Sequence, residues 1–147
     1  MLPPAPANTE VVMGSTKHSM TEIENMRIAV YGTVTISSGK GISDAEVLDG
    51  HAVVRIYTDA NWKAASAPSL SLAVSEDGTT YRQVRVWQPA TPTTTVIGAV
   101  TANTSQAYVI PPEWTDGAHS VKIVSGTVAT TTPLVKNRTV GLVYRLV

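Results

Sequence analysis

Leu70-Ser71-Leu72-Ala73-Val74-Ser75-Glu76-Asp77-Gly78-Thr79-Thr80-Tyr81-Arg82-Gln83-Val84-Arg85-Val86-Trp87 decides the fold. Leu70, Leu72 and Val74 alternate with Ser71, Ala73 and Ser75, and Val84 and Val86 alternate with Gln83, Arg85 and Trp87. Successive side chains of a strand point to opposite faces, so each arm reads as a strand with an apolar and a polar side. Asp77-Gly78 between them is a hairpin signal, because glycine takes positive φ without a Cβ clash. The stretch therefore predicts a β-hairpin with one buried and one wet face, around which the other strands pack.

The rest of the composition points the same way. The chain has 147 residues, enough for one domain with a proper core. It holds 20 Val and 20 Thr against 7 Leu and no Phe, and residues stiff at χ1 suit pleated sheets. Only eight residues are aromatic, so the core should be aliphatic and thin, as in a two-sheet sandwich.

Working outward, strands are expected at Ile28–Tyr31 and Thr33–Ile36 with a bend at Gly32, then at Ala52–Thr58, Val96–Val100, Ala107–Ile110, His119–Val124 and Thr139–Val147. Pro111-Pro112 should end the strand before it, and a single helical turn can follow in Glu113–Ala118. Ser43-Asp44-Ala45-Glu46 fits a capping box and allows one or two helical turns, or a loop. Roughly eight strands about 10 to 15 residues apart, with Gly/Pro/Asp turns and no long helical pattern, give an all-β class. The preferred architecture is a single jelly-roll-like β-sandwich over residues 21–147.

Residues 1–20 stand apart. Pro3, Pro4 and Pro6 fix φ and lack donors, so the start reads as an extended N-terminal arm. Leu2, Pro3, Pro4, Val11 and Val12 are its candidate contacts with a neighbouring subunit. This start has no basic region followed by an apolar one, so it does not read as a signal peptide. No run of about 18 apolar residues occurs, and no membrane partner is expected.

Eleven Lys+Arg balance eleven Asp+Glu, and no basic stripe is present, so no nucleic-acid partner is expected. A neutral Ser/Thr-rich surface is poorly protected against self-association, which suits a protein that works in an assembly. With no Cys, disulfides and thiolate chemistry are excluded.

The chemistry-bearing residues form no catalytic constellation. His18, His51 and His119 are far apart and have no metal-ligand spacing, so they read as surface or loop residues. Glu76 and Asp77 share one loop, and Glu113 and Asp116 another, but sequence does not set them across a cleft as a glycosidase requires. Gly39-Lys40 lacks both the Ser/Thr after the lysine and the earlier glycine of a phosphate loop, where Val34 stands. No Gly-x-Ser-x-Gly occurs. The reading is no enzyme, no cofactor and no metal. Trp62, Trp87 and Trp114 lie at strand ends or in loops. They suit caps on a thin core, anchors at an interface, or platforms for sugar rings.

Four motifs carry a resemblance: Leu70-x-Leu-x-Val-Ser-x-Asp-Gly-Thr-Thr-Tyr81, Ala107-Tyr-Val-Ile-Pro-Pro-Glu-Trp114, Gly117-Ala-His-x-Val-Lys-Ile-x-Ser-Gly-Thr127 and Asn137-Arg-Thr-Val-x-Leu-Val143. Over roughly residues 50–147 the chain resembles small β-sandwich structural proteins of tailed bacteriophages, some of them capsid cement (decoration) proteins. The resemblance implies a protein made in the bacterial host cytoplasm and placed on the outer capsid surface of the virion. There it would bind the major capsid protein and bridge capsomers. The chain itself is expected to form a homo-dimer or homo-trimer, through a sheet face or exchange of the arm. The other expected role is a carbohydrate- or receptor-binding module of a phage head or tail fibre.

Overall fold

In the computed structural model the described residues are 11–13, 16–18, 29–62, 69–86, 93–94 and 96–146. The chain divides into two units, Met1–Val30 and Tyr31–Val147. In the first, β1 (Val11–Met13) pairs antiparallel with β2 (Thr16–His18). Val11 and Val12 thus belong to a short hairpin rather than to a lone extended arm. Leu2, Pro3, Pro4 and Thr21–Met26 lie outside the described residues.

The second unit contains β3 (Val30–Ile36, which starts one residue earlier), β4 (Glu46–Val47), β5 (His51–Thr58), β6 (Ser69–Ser75), β7 (Arg82–Gln83), β8 (Arg85–Val86), β9 (Thr93–Thr94), β10 (Val96–Ala99), β11 (Gln106–Val109), β12 (Ser120–Ser125) and β13 (Arg138–Leu146). One sheet has the order β11-β5-β13-β3 and the other β10-β6-β12-β4, with β7 added beside β6. β8 and β9 form a separate ribbon.

The eight strands of the two main paths pair as a chain folded in half. β3 lies beside β13, β4 beside β12, β5 beside β11 and β6 beside β10. Rolling that long antiparallel hairpin into two layers gives the jelly roll, so the expected sandwich is the observed one. The inner faces meet in an aliphatic core, with Ile56 and Leu142 from one sheet and Leu72 and Ile123 from the other fully buried. At Asp49-Gly50 both φ values are positive, and the His51 N–H donates to the Leu48 carbonyl oxygen at 2.9 Å. This tight turn swings the chain from β4 in one sheet to β5 in the other.

Over the described residues 70–86 the hairpin forms, but with two differences from the expectation. Its second arm is short. Ala73 and Val74 pair with Gln83 and Arg82, and the chain then leaves as β8 to pair with β9. The polar face of β6 is also not wet, since Ser71, Ala73 and Ser75 are all fully buried. The Tyr81 phenol reaches across to the Ser120 hydroxyl at 2.7 Å, with the Lys122 ammonium 4.2 Å above its ring. The loop after β12 crosses β6, and the Val128 N–H donates to the Gln83 side-chain oxygen at 2.7 Å. The Ser71 hydroxyl donates to the Gly126 carbonyl oxygen at 2.6 Å, so its burial leaves no unpaired group.

Residues 43–46 form no helix. The Ser43 hydroxyl accepts the Ile123 N–H and donates to the Asp44 carbonyl oxygen, while the Asp44 carboxylate accepts the Thr35 N–H at 2.6 Å. Those tertiary partners replace the helix cap, and Glu46 goes into β4. β3 runs unbroken through Gly32, whose missing Cβ leaves room for the Glu46 carboxylate.

Candidate functional site

Two surfaces of the second unit stand out, a cleft beside the turn of the β6–β7 hairpin and the outer face of the β11-β5-β13-β3 sheet.

The cleft is built by two turns. In the first, the Asp77 carboxylate accepts the Thr79 and Thr80 N–H groups and the Ser75 hydroxyl, each at 2.9 Å, and Gly78 takes φ +82°. The second is a 3-10 turn, Pro112–Trp114, directly after β11. Opposite it, β13 skips one residue of β5, pairing Tyr144 with Val53 and Val143 with Arg55. At this bulge the Val53 N–H donates to the buried Thr115 hydroxyl at 2.8 Å, which ties the 3-10 turn to β5. The His119 N–H donates to the Ser75 carbonyl oxygen, which links the two turns.

Between them lies a cleft of about 490 Å³ lined by Val74, Glu76, Arg82, Gln83, Val84, Arg85, Glu113 and Trp114. Val74 and Trp114 also pack against the hydrophobic core, so Trp114 has one side on the core and the other on the cleft. Gln83 is held at both ends, donating to the Leu72 carbonyl oxygen and accepting from Val128. Arg82 approaches Glu76 at 3.8 Å, with both side chains largely exposed (74% and 66%). A pair so exposed contributes little to stability, so both groups are open to a ligand. Glu76 and Glu113, which sequence alone leaves unrelated, thus line one cleft. Both are exposed.

On the outer sheet face, direct cross-strand partners share a side. Arg55 pairs with Val109 and Val143, and Tyr57 with Ala107 and Gly141. The residues between them, Ile56 and Leu142, are in the core, so these six point outward. Tyr31 extends the row. Its ring lies 6.4 Å from that of Tyr57, and its hydroxyl lies over Gly141, where no Cβ intervenes. Val109 is 75% exposed and Tyr31 64%. The result is a largely apolar, aromatic surface around Arg55, with the exposed Arg145 farther along β13 on the same side.

The tryptophans separate. Trp62 is fully buried and is part of the core, which removes it as an interface anchor or sugar platform. Its Nε1 and the Thr58 hydroxyl are buried with no hydrogen-bond partner among the described residues. Trp87 lies outside the described residues. Trp114 is the one that faces the cleft.

His51 Nδ1 lies 2.8 Å from the Leu48 carbonyl oxygen, and its ring meets Tyr144 edge-on at 5.6 Å. His119 Nδ1 lies 3.2 Å from the Ser120 hydroxyl. Both are used in local packing. Among the described residues no cluster of three or more His, Asp or Glu could hold a metal, and no helix is long and apolar enough to cross a membrane.

Sequence reading passes over the outer face and most of the cleft. Tyr31, Tyr57 and Val109 come from three different strands, and only sheet order makes them neighbours. Arg82 and Arg85 carry a sequence signal, as charges at the end of a strand arm, but nothing in that signal sets them opposite Trp114.

No family model and no curated protein sequence matches the chain. Among solved structures it is similar to the Yersinia pseudotuberculosis-derived mitogen, with 13% identity, 81% of this chain and 86% of that chain covered, and a TM-score of 0.31.

Proposed function

We propose that this protein is a virion structural protein, a capsid cement protein that binds the outside of a major capsid shell and bridges capsomers. The observation that carries the reading is the outer face of the β11-β5-β13-β3 sheet. A row of exposed Tyr31 and Val109 with half-buried Tyr57 and Val143, beside Arg55, has the makeup of an interface core, where aromatics and arginine are enriched. Contiguous exposed apolar surface of this kind marks a partner. A cement protein stabilises by adding buried interface, so it needs such a face and no catalytic group. The face also serves the proposed homo-dimer or homo-trimer, because a sheet face can pack on its own copy.

The test is co-sedimentation with capsids that lack the protein, counted as copies per shell. Saturation at a fixed stoichiometry, with a shell more resistant to heat, supports the reading. In the double variant Tyr31→Ser, Val109→Lys the copies bound should fall at least tenfold. Both positions are exposed on the sheet, so the sandwich should still fold. Absence of shell binding by the unmodified protein would overturn the proposal.

A second reading, a carbohydrate- or receptor-binding module of a head or tail fibre, is favoured by one observation. Trp114 lines a cleft with polar side chains on its rim.

A further inference from the structure

The cleft beside the β6–β7 hairpin faces a different direction of chemistry from the sheet face. We infer that it is a binding site for a neutral oligosaccharide.

Four features select that class of ligand. The first is size: about 490 Å³ falls within the range of about 300–1,000 Å³ that small-ligand sites occupy. The second is charge. Arg82 and Arg85 are matched by Glu76 and Glu113, so the cleft presents charged hydrogen-bonding groups with no net charge. A phosphate, a nucleic acid or an acidic polysaccharide would meet two carboxylates, and a polyamine two guanidinium groups. A polyhydroxylated neutral ligand can use all four, since each hydroxyl both donates and accepts.

The third feature is the aromatic surface. Trp114 leans on the core with one part of its ring and opens to the cleft with the rest, while Val74 and Val84 add an apolar wall. A pyranose ring has apolar C–H faces and a polar rim, and an indole beside carboxylates and guanidinium groups complements both. The fourth is rigidity. The Asp77 turn, the Thr115–Val53 link and the doubly bonded Gln83 hold the walls in place before any ligand arrives. A preformed site loses less affinity to ordering its side chains. The exposed carboxylates suit recognition of hydroxyl groups rather than bond cleavage.

This inference deepens the second, carbohydrate-binding reading by naming its ligand class, and it does not rest on the capsid reading, since the cleft and the sheet face share no residue. The experiment is a printed array of neutral, sialylated, uronate-containing and sulfated oligosaccharides, probed with the full chain. The best binder is then titrated in solution by isothermal calorimetry, a readout that does not depend on the tryptophan being replaced. Expected are neutral oligosaccharides as the bound class, at least a tenfold loss of affinity in Trp114→Ala, and retention within a few-fold in Trp114→Phe, which keeps an aromatic surface. Arg82→Ala should also weaken binding. The Tyr31→Ser, Val109→Lys variant should bind the sugar as the unmodified protein does, which separates failure of this site from failure of the capsid reading. Absence of binding to any neutral oligosaccharide overturns the inference. So does selection of anionic glycans alone, or binding that is indifferent to Trp114→Ala in a protein that remains folded.

Discussion

Asp77 accepts hydrogen bonds from the Thr80 and Thr79 amides and the Ser75 hydroxyl, and these hold its carboxyl well below the ordinary value of 3.8. A depressed carboxyl contributes stability that is complete above the unfolded value and is lost as pH falls toward the native one. The acid limb of the stability curve should therefore begin below about pH 4, and Asp77→Asn should make it shallower in an acid titration followed by circular dichroism. Tyr144 has the opposite sign. Burial, and then the 2.8 Å hydrogen bond it donates to the Glu46 carboxylate, push its phenol from 10.0 up to about 12. Its contribution is complete below pH 10 and is lost as pH rises from there through 12. Tyr144→Phe should flatten that alkaline limb and cost about 1 kcal/mol at neutral pH, read by urea unfolding.

At the scale of elements, β6 was legible as a strand and misleading as to exposure. Alternation of Leu and Val with Ser and Ala predicts one wet face, yet Ser71 and Ser75 are buried. Serine is small enough to bury and needs only one acceptor for its hydroxyl, here Gly126 from the loop after β12 and Asp77 in the next turn, so a Ser-bearing face is no proof of solvent. Ser43–Glu46 shows the same limit, because its cap residues found tertiary partners on β12 and β3. The 3-10 turn after Pro111-Pro112 was readable from its prolines, but its attachment was not. It depends on the Thr115 hydroxyl meeting Val53 at the β5 bulge. Thr115→Val would leave a buried N–H without that acceptor and should cost about 1–3 kcal/mol in urea unfolding. It should also loosen Trp114, seen as a red shift of tryptophan emission.

For the whole molecule, the two proposals fall on separate surfaces, assembly on the outer sheet face and sugar binding in the cleft. The N-terminal unit offers a third test. Removing residues 1–20 should weaken capsid binding and leave the thermal transition of the sandwich in place. If the truncated chain binds capsids as tightly as the full one, the N-terminal segment plays no part in attachment.

The all-β class, the sandwich, its turns and its aliphatic core followed from local facts: Val and Thr abundance, period-two alternation, and Gly, Pro and Asp punctuation. These act between residues close in the chain, where backbone sterics and side-chain branching decide the outcome. The pairing of β3 with β13, the full burial of Trp62, the row from Tyr31 to Val109 and the cleft lined by both Trp114 and Arg82 were decided only by tertiary structure. Each depends on which strands become neighbours. That choice is made by closing the core between two sheets, a condition on the whole chain that no short window of sequence contains.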